Sequence, residues 1–561
     1  MIKALILLSL FTITSTAYAD TAKRDAVLAG DKKFDLALPF EDFTPRGATG
    51  EAQPLEGQLR LDMAALSGGF QLILDSYGAA QNPQAQVRVM PQVDISLIQD
   101  GDYIIPIYQG ITETKHPYFD IIYTPGRTWA EPDGRRFISL PFALMEKNAN
   151  CIHNGALLVA ISPDGQASHA LMQVGSETCA YFQFNFWAVF DAEWQARNIA
   201  GAADARASYR GNKAARLPIR TMADLPEGLD AKEFSQDVEI APAFMSTYGL
   251  VLDGVHYHSG CGTRLGPYPH CETMVLPSYS LAKSLAGGLG LMRLDALYGD
   301  TSSQTVASLI PDCADWGNVT LSHLLNMTTG RYASRTPHAD EASAGYLPFF
   351  TLTNDTEKTA FACNYFDSET DEGKQWVYHT SDTYLLGVAM NSFLKAHGDG
   401  DFYRDHLVPI WEALDLSPLM ADIRRTRGAG AVPFTGYGMI FTADDIARVA
   451  SALASSDTRL TGQLAQASFE AAMQRTPSDR GMRAGSDNLK YKNGFWAWNA
   501  RESLGCEADT WLPFFSGFGG ITVVLLPGGN VYYYFSDSGV HVFAEPIKAL
   551  SAVTPICGVS S

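Results

Sequence analysis

The first part of the chain carries short apolar stretches cut apart by turn residues. "GQLRLDMAAL", "FQLILDSYG", "VDISLIQDGDYIIPIY", "YFDIIYTPG", "RRFISLPFAL", "GALLVAISPDGQ" and "AYFQFNFWAVFDAEW" either alternate apolar with polar positions or stay apolar for the length of one strand. Asp-Gly and Pro-Gly pairs separate them. A period of two puts successive side chains on opposite faces of a sheet, so the pattern predicts an all-β unit, read here as a sandwich. "WQARNIAGAADARASYRGNKAARLPIRTMADLPEG" is rich in Ala and Arg and predicts a helix and a linker. Beyond residue 225 helical periodicity takes over, with strands at either end. "YGLVLDGVHYHSG" predicts a hairpin turning at Asp253-Gly254, and "TADDIARVASALAS" an amphipathic helix capped by Thr442 with Asp445 three positions on. "GGITVVLLPGGNVYYYFSDSG" predicts a second hairpin and "AEPIKALSAV" a closing helix. Strands at both ends of a helical stretch predict an antiparallel sheet flanked by helices, with a helical insertion.

Length and charge narrow this picture. A chain of 561 residues is too long for one core and predicts several domains. A hydrophobic content of 46% with 18% charged residues describes packed globular domains. The formal charge of −20 disfavours nucleic acid and anionic lipid as partners, since both select basic surfaces. "MIKALILLSLFTITSTAYAD" has a positive start, an apolar run and Ala17-Tyr18-Ala19, the layout of a secretory signal cut before Asp20. The expected location is therefore periplasmic or extracellular. No later stretch stays apolar long enough to span a bilayer. The expected division is residues 1–19 as signal, 20–225 as the β-rich unit and its linker, and 226–561 as the second unit. Eight cysteines in an exported chain suggest disulfides, and proximity pairs them 151–179, 261–271, 313–363 and 506–557.

Candidate chemistry starts at "PSYSLAKSLAGGLGLMRLD". Leu281, Leu285, Leu289 and Leu291 give this helix a buried face, and Lys283 lies one turn from Ser280 on the same side. Burial disfavours an ammonium, and a neutral lysine can take a proton that serine alone gives up poorly. A second Ser-x-x-Lys, Ser392 to Lys395, falls at the end of a helix before Gly398, where a lysine is an ordinary C-terminal charge.

Together with its neighbours, the first segment resembles the serine hydrolases of the β-lactamase and penicillin-binding-protein family, in particular the class C-like branch of esterases, D-aminopeptidases and amide hydrolases. The resemblance covers roughly residues 235 to 557. "PSYSLAKSLAGGLGLMRLD", "WGNVTLSHLLNMTTG", "WVYHTSDTYLLG", "GYGMIFTADDIARVASAL" and "SGFGGITVVLLPGGNVYYYF" follow the family's order. For that stretch it implies an α/β (α+β) domain, with an antiparallel sheet flanked by helices plus a helical subdomain; with the all-β N-terminal domain read from the strand pattern, the protein is expected to be multidomain. It implies Ser280 as nucleophile, Lys283 as its activating partner and Tyr378 sharing the proton work. Thr380 stands where the family usually has Asn or Ser. The oxyanion hole would be the N–H groups of Ser280 and Ile521, with Phe518, Gly519 and Gly520 lining the substrate. No metal or organic cofactor is implied, and the substrate would be a small molecule or peptide-like.

Phe518 departs from the Lys or His of the family's third motif. A phenyl ring cannot pair with a substrate carboxylate, so the expectation moves from β-lactams and D-Ala peptides toward simple esters or amides. Arg331, after the "TTG" turn, is one candidate to fill the missing charge. A non-catalytic binding protein keeping the fold is the rival reading, and β-lactamase or D-Ala peptide hydrolysis a second. His256, His258, Cys261, His270 and Cys271 would suit zinc, but an exported chain more often oxidises the two cysteines. His323 is read as structural.

Overall fold

The computed structural model describes residues 23–30, 34–46 and 54–558, so the expected signal segment lies outside the described residues. The first sheet has nine strands: β1 (Glu56–Asp75), β2 (Ile95–Asp100), β3 (Tyr103–Pro106), β4 (Phe119–Tyr123), β5 (Gly126–Ala130), β6 (Arg136–Glu146), β7 (Ile152–Ile161), β8 (Ala170–Thr178) and β9 (Phe182–Ala196). The all-β expectation holds here, but the sandwich does not. β6 pairs with β5 and then β4 along one edge, and with β7 along the other. The circuit β6-β5-β3-β2-β1-β9-β8-β7 therefore closes on itself around Leu59, Leu97, Leu140, Leu157, Met172 and Phe184. Alternation is the same in a sandwich and a closed sheet. The eleven residues of β6 let one edge take β5 and then β4, and closure comes from the pairing of β7 on the other edge.

The second sheet also has nine strands, in the order β10-β12-β11-β20-β19-β18-β17-β16-β15. They are β10 (Ile219–Thr221), β11 (Met245–Leu252), β12 (Val255–His258), β15 (Met482–Arg483), β16 (Leu489–Lys492), β17 (Phe495–Asn499), β18 (Trp511–Gly517), β19 (Ile521–Leu525) and β20 (Val531–Ser536). All its pairings are antiparallel except β10 on β12. β13 (Leu276–Pro277) and β14 (Ile440–Phe441) form a short pair of their own. Between β12 and β15 the chain is mainly helical, with Leu289–Tyr298, Asp355–Asn364, Thr380–Ala396 and Ala443–Ser455 as its longer helices. Asp253 and Gly254 both take positive φ, as the predicted tight turn requires. Thr442 and Asp445 form the predicted reciprocal cap.

The four cysteine pairs are those proximity suggests: 151–179, 261–271, 313–363 and 506–557. The histidines near Cys261 have protein partners. His256 contacts the Tyr533 hydroxyl at 2.7 Å, His258 the Thr247 hydroxyl at 3.0 Å and His270 the Ser139 hydroxyl at 2.8 Å. Lys395 is exposed in the last turn of its helix, as expected for the second Ser-x-x-Lys. No helix among the described residues is long and apolar enough to cross a membrane.

Candidate active site

The segment after β13 turns sharply before its helix begins. Ser278 is locked to the strand beside it. Its N–H donates to the Met439 carbonyl at 3.0 Å, and its hydroxyl accepts from the Met439 N–H at 3.0 Å. Tyr279 then takes φ +40°, a left-handed conformation that costs a non-glycine residue about 1–3 kcal/mol and persists only where neighbours impose it. The turn delivers Ser280, half-buried, to the head of the helical segment. The first helical turn passes into a π-turn over Lys283–Gly288, the wider coil found often at functional positions.

Lys283 Nζ is buried and lies 2.9 Å from Ser280 Oγ, 2.9 Å from Thr380 Oγ1 and 3.0 Å from the Gly436 carbonyl. The Tyr378 hydroxyl donates to Ser280 Oγ at 2.7 Å. Thus Ser280, Lys283, Tyr378 and Thr380, drawn from positions far apart in sequence, converge on one oxygen and one amine. Burial draws the Lys283 ammonium down to about 8, against an upward pull from the carboxylates of Glu341 and Asp382. Burial and then Glu341 hold the Tyr378 phenol well above its ordinary value, so it carries its proton at neutral pH. Of the two groups the amine is the readier proton acceptor, as its burial beside Ser280 suggests.

Glu341 is absent from the sequence-based set. Its carboxylate accepts both the Thr380 N–H, at 2.9 Å, and the Thr380 hydroxyl. Thr380 therefore links Lys283 to a carboxylate, its hydroxyl accepting from the amine and donating to Glu341. No local pattern marks Glu341, because it comes from an irregular segment whose neighbours Asp340 and Tyr346 bond to the distant His379 and Ser381. Behind it Asp340 meets His379 at 3.0 Å, and buried Asp382 is pushed up to about 7 by desolvation.

The third segment is placed differently from the expectation. Phe518-Gly519-Gly520 is the turn joining β18 to β19, not part of a strand. Gly519 and Gly520 have φ of +90° and +96°, and a Cβ on Gly520 would sit 2.5 Å from Ser536 Oγ, so the turn itself explains both glycines. Ile521 does not offer a free N–H. The Gly520 carbonyl accepts from Ser536 in β20, so the N–H of the same peptide unit points the other way, toward its partner Gly517 in β18. By the alternation of an antiparallel strand, the N–H of Ser516 then faces away from β19. β17 pairs with Trp511 to Phe514 of β18 and no farther, which leaves Ser516 on an open edge. This edge runs against the turn before Ser280: a Cβ on Gly517 would meet the Ser278 carbonyl at 2.8 Å. Phe518 is 50% exposed, with its ring 5.5 Å from that of Tyr279.

Aromatic and imidazole groups gather around Tyr378. Its ring lies 6.1 Å from Trp496, 6.2 Å from Trp376 and 5.0 Å from His338. His541 Nδ1 sits 3.1 Å from Ser516 Oγ. Both histidines are exposed to solvent yet hemmed in by protein, as side chains lining a depression are. Desolvation lowers both, and His338 lowers His541 further. Arg331 does not supply the missing cation. Its guanidinium is buried over Trp316 and bonded to Asp315 at 2.8 Å and to the Phe366 carbonyl at 3.1 Å.

No family model and no curated protein matches the chain. Several solved structures are similar to it. A Bacillus anthracis protein named as a 6-aminohexanoate-dimer hydrolase is 15% identical over 60% of this chain and 85% of its own, with a TM-score of 0.44. EstCE1, a hydrolase with promiscuous acyltransferase activity, is 15% identical over 57% of this chain and 96% of its own, at 0.43. A penicillin-binding protein homolog from Caulobacter crescentus is 17% identical over 58% and 96%, at 0.41. Likeness at this level is similarity and nothing more.

Proposed function

We propose that the chain is an exported serine hydrolase, related to the β-lactamases, that cleaves an ester or amide through an acyl-enzyme on Ser280. Residues 226–561 form the hydrolase unit on this reading and 20–225 the β unit before it. One observation carries it: Ser280 Oγ lies within hydrogen-bond reach of both a buried lysine amine and a buried phenol. Neutral Lys283 takes the Ser280 proton as Oγ bonds to the substrate carbonyl carbon. The N–H groups of Ser280 and Ser516 receive the oxyanion, a contribution of a few kcal/mol per donor, about 3 in a well-studied case. Tyr378 gives its proton to the departing oxygen or nitrogen and regains one from Lys283. Water then attacks the acyl carbon, and the same groups return the proton to Oγ. Brief exposure to p-nitrophenyl acetate followed by acid quenching should leave an acetyl group on the peptide containing Ser280. An unmodified Ser280 peptide during steady turnover, or acetyl on Ser392, rejects the reading.

The surroundings favour an uncharged acyl group. Tyr279, Phe518, Trp376 and Trp496 are aromatic, and His338 and His541 are held below the ordinary histidine value, hence neutral at pH 7. A carboxylate buried beside them would lack a charged partner and carry a desolvation cost of several kcal/mol. A short p-nitrophenyl ester should therefore exceed a chromogenic cephalosporin in kcat/KM. The reverse order would restore β-lactam or D-Ala peptide hydrolysis as the better reading.

The pH dependence follows from Lys283. Below about 8 the amine is protonated and cannot accept, so acylation rises with pH and levels off above that value. Glu341 favours the charged form, so Glu341→Gln should move the midpoint to lower pH. A midpoint that stays put or moves upward would show that Glu341 does not act on Lys283.

A further inference from the structure

The first sheet reaches into the site just described. β6 and β7 are joined by a turn containing Asn150, next to the Cys151–Cys179 disulfide. Asn150 is fully buried, and both polar atoms of its side chain are spent on segments beside the second sheet. Its Oδ1 accepts the Tyr279 N–H at 2.6 Å and the Ser278 hydroxyl at 3.2 Å. Its Nδ2 donates to the Met439 carbonyl at 3.1 Å. One amide thus bonds both residues preceding Ser280 and the strand that flanks them. The bond to Tyr279 falls on the residue whose φ is +40°.

Other contacts follow the same line. Tyr181, just before β9, packs its ring 6.2 Å from Phe518. Gln183 donates to Asp537 at 2.7 Å, in the segment that leads to His541. Asp120 is ion-paired with Arg424, and Thr124 donates to the Thr273 carbonyl at 2.9 Å. A sheet tethered as an independent module would not place a buried, fully bonded amide beneath the nucleophile turn.

We propose that the first sheet is a working part of the hydrolase site, with Asn150 as the positioning residue that holds the turn at Tyr279 and so aims Ser280 between Lys283 and Tyr378. The proposal rests on Ser280 being the nucleophile. Catalysis is sensitive to displacements of an ångström or less, and such supporting bonds keep a reacting group aligned. Asn150 touches no substrate on this account. Its loss should lower the rate of bond formation at Ser280 and leave substrate binding nearly unchanged.

The test compares Asn150→Ala, Asn150→Asp and Asn154→Ala in the full chain. Asn154 is the control, since from β7 it makes the same kind of bonds to the Val275 N–H and carbonyl, at 3.3 and 3.0 Å, farther from Ser280. Labelling by a fluorophosphonate, kcat and KM for p-nitrophenyl acetate, and Tm are measured, the first three well below the melting range. Asn150→Ala should lose at least about tenfold in kcat and in labelling rate, with KM changed less than about threefold. Asn150→Asp keeps an oxygen facing Tyr279 but sets a second oxygen against the Met439 carbonyl, so it should recover part of that loss, and more at low pH where that oxygen carries a proton. Asn154→Ala should lower Tm while keeping kcat. If Asn150→Ala does not fold, Asn150→Ser replaces it, its hydroxyl being too short to span to Tyr279. Wild-type kcat in the Asn150 variants, or equal losses at 150 and 154, overturns the proposal while labelling of wild type at Ser280 stands. Failure of the wild type itself to label at Ser280 overturns the nucleophile reading first, and this one with it.

Discussion

Ser280→Ala should abolish covalent labelling by a serine-directed phosphonate and reduce ester hydrolysis by about a thousandfold or more, the scale expected when a nucleophile is removed from a working set. The expectation follows from geometry. Ser280 is half-buried, and its Oγ lies 2.9 Å from a buried amine and accepts from a phenol at 2.7 Å. The fold should survive, because Ser280 sits in the turn and its side chain bonds only to Lys283 and Tyr378 among the described residues. Near-ultraviolet circular dichroism and Tm check that point. Lys283 keeps two other partners, Thr380 and Gly436, after the hydroxyl is gone. Ser392→Ala, altering the other Ser-x-x-Lys, should label and turn over as wild type does. Labelling that persists in Ser280→Ala and disappears in Ser392→Ala would place the chemistry elsewhere.

Lys283→Ala and Tyr378→Phe should each slow acylation by about a hundredfold or more, the usual scale for lost acid–base assistance. The double variant should be little worse than either single one. The reason is that the two groups divide one proton between them. Burial brings the amine down to about 8 and holds the phenol well above its ordinary value, so each state of the amine sets what the phenol can do. Single-turnover rates with p-nitrophenyl acetate measure the acylation step directly. Fully additive losses in the double variant would show that Lys283 and Tyr378 act on separate steps. The pH profile adds a second check, since Lys283→Ala should lose the midpoint near 8 that Tyr378→Phe retains.

Much of the candidate site is legible in the order of residues. Ser280 and Lys283 are one helical turn apart, and a buried helix face forces them to share a direction. Tyr378 and Thr380 are legible only because "WVYHTSDTYLLG" follows the order of a familiar motif. The misreadings have a common physical cause. As a string of residues, Phe518, Gly519 and Gly520 do not show which neighbouring N–H stays open, and Ile521 is the residue the motif order offers. Whether a Gly-rich string is a strand or the turn between two strands depends on register, and register is set by partners elsewhere in the sheet. Once Ser536 takes the Gly520 carbonyl, the Ile521 N–H is committed to Gly517 and the open position moves to Ser516. Arg331 looks available in sequence because nothing nearby names Asp315 as its partner.

The chain's own order of residues determined what is local: the strands of the first sheet, the Asp253-Gly254 turn, the Thr442 cap and the Ser280–Lys283 spacing. Each depends on contacts among near neighbours, whereas proximity only suggested the cysteine pairs and the fold made them. Tertiary structure alone decided what depends on closure and convergence. It closed the first sheet through both edges of β6, joined Glu341 to Lys283 through Thr380, turned Ser516 to the open edge, and set Asn150 beneath the turn that presents Ser280. A hydrogen bond between residues tens of positions apart or more leaves no local pattern, because its free energy constrains the fold and not the neighbouring sequence.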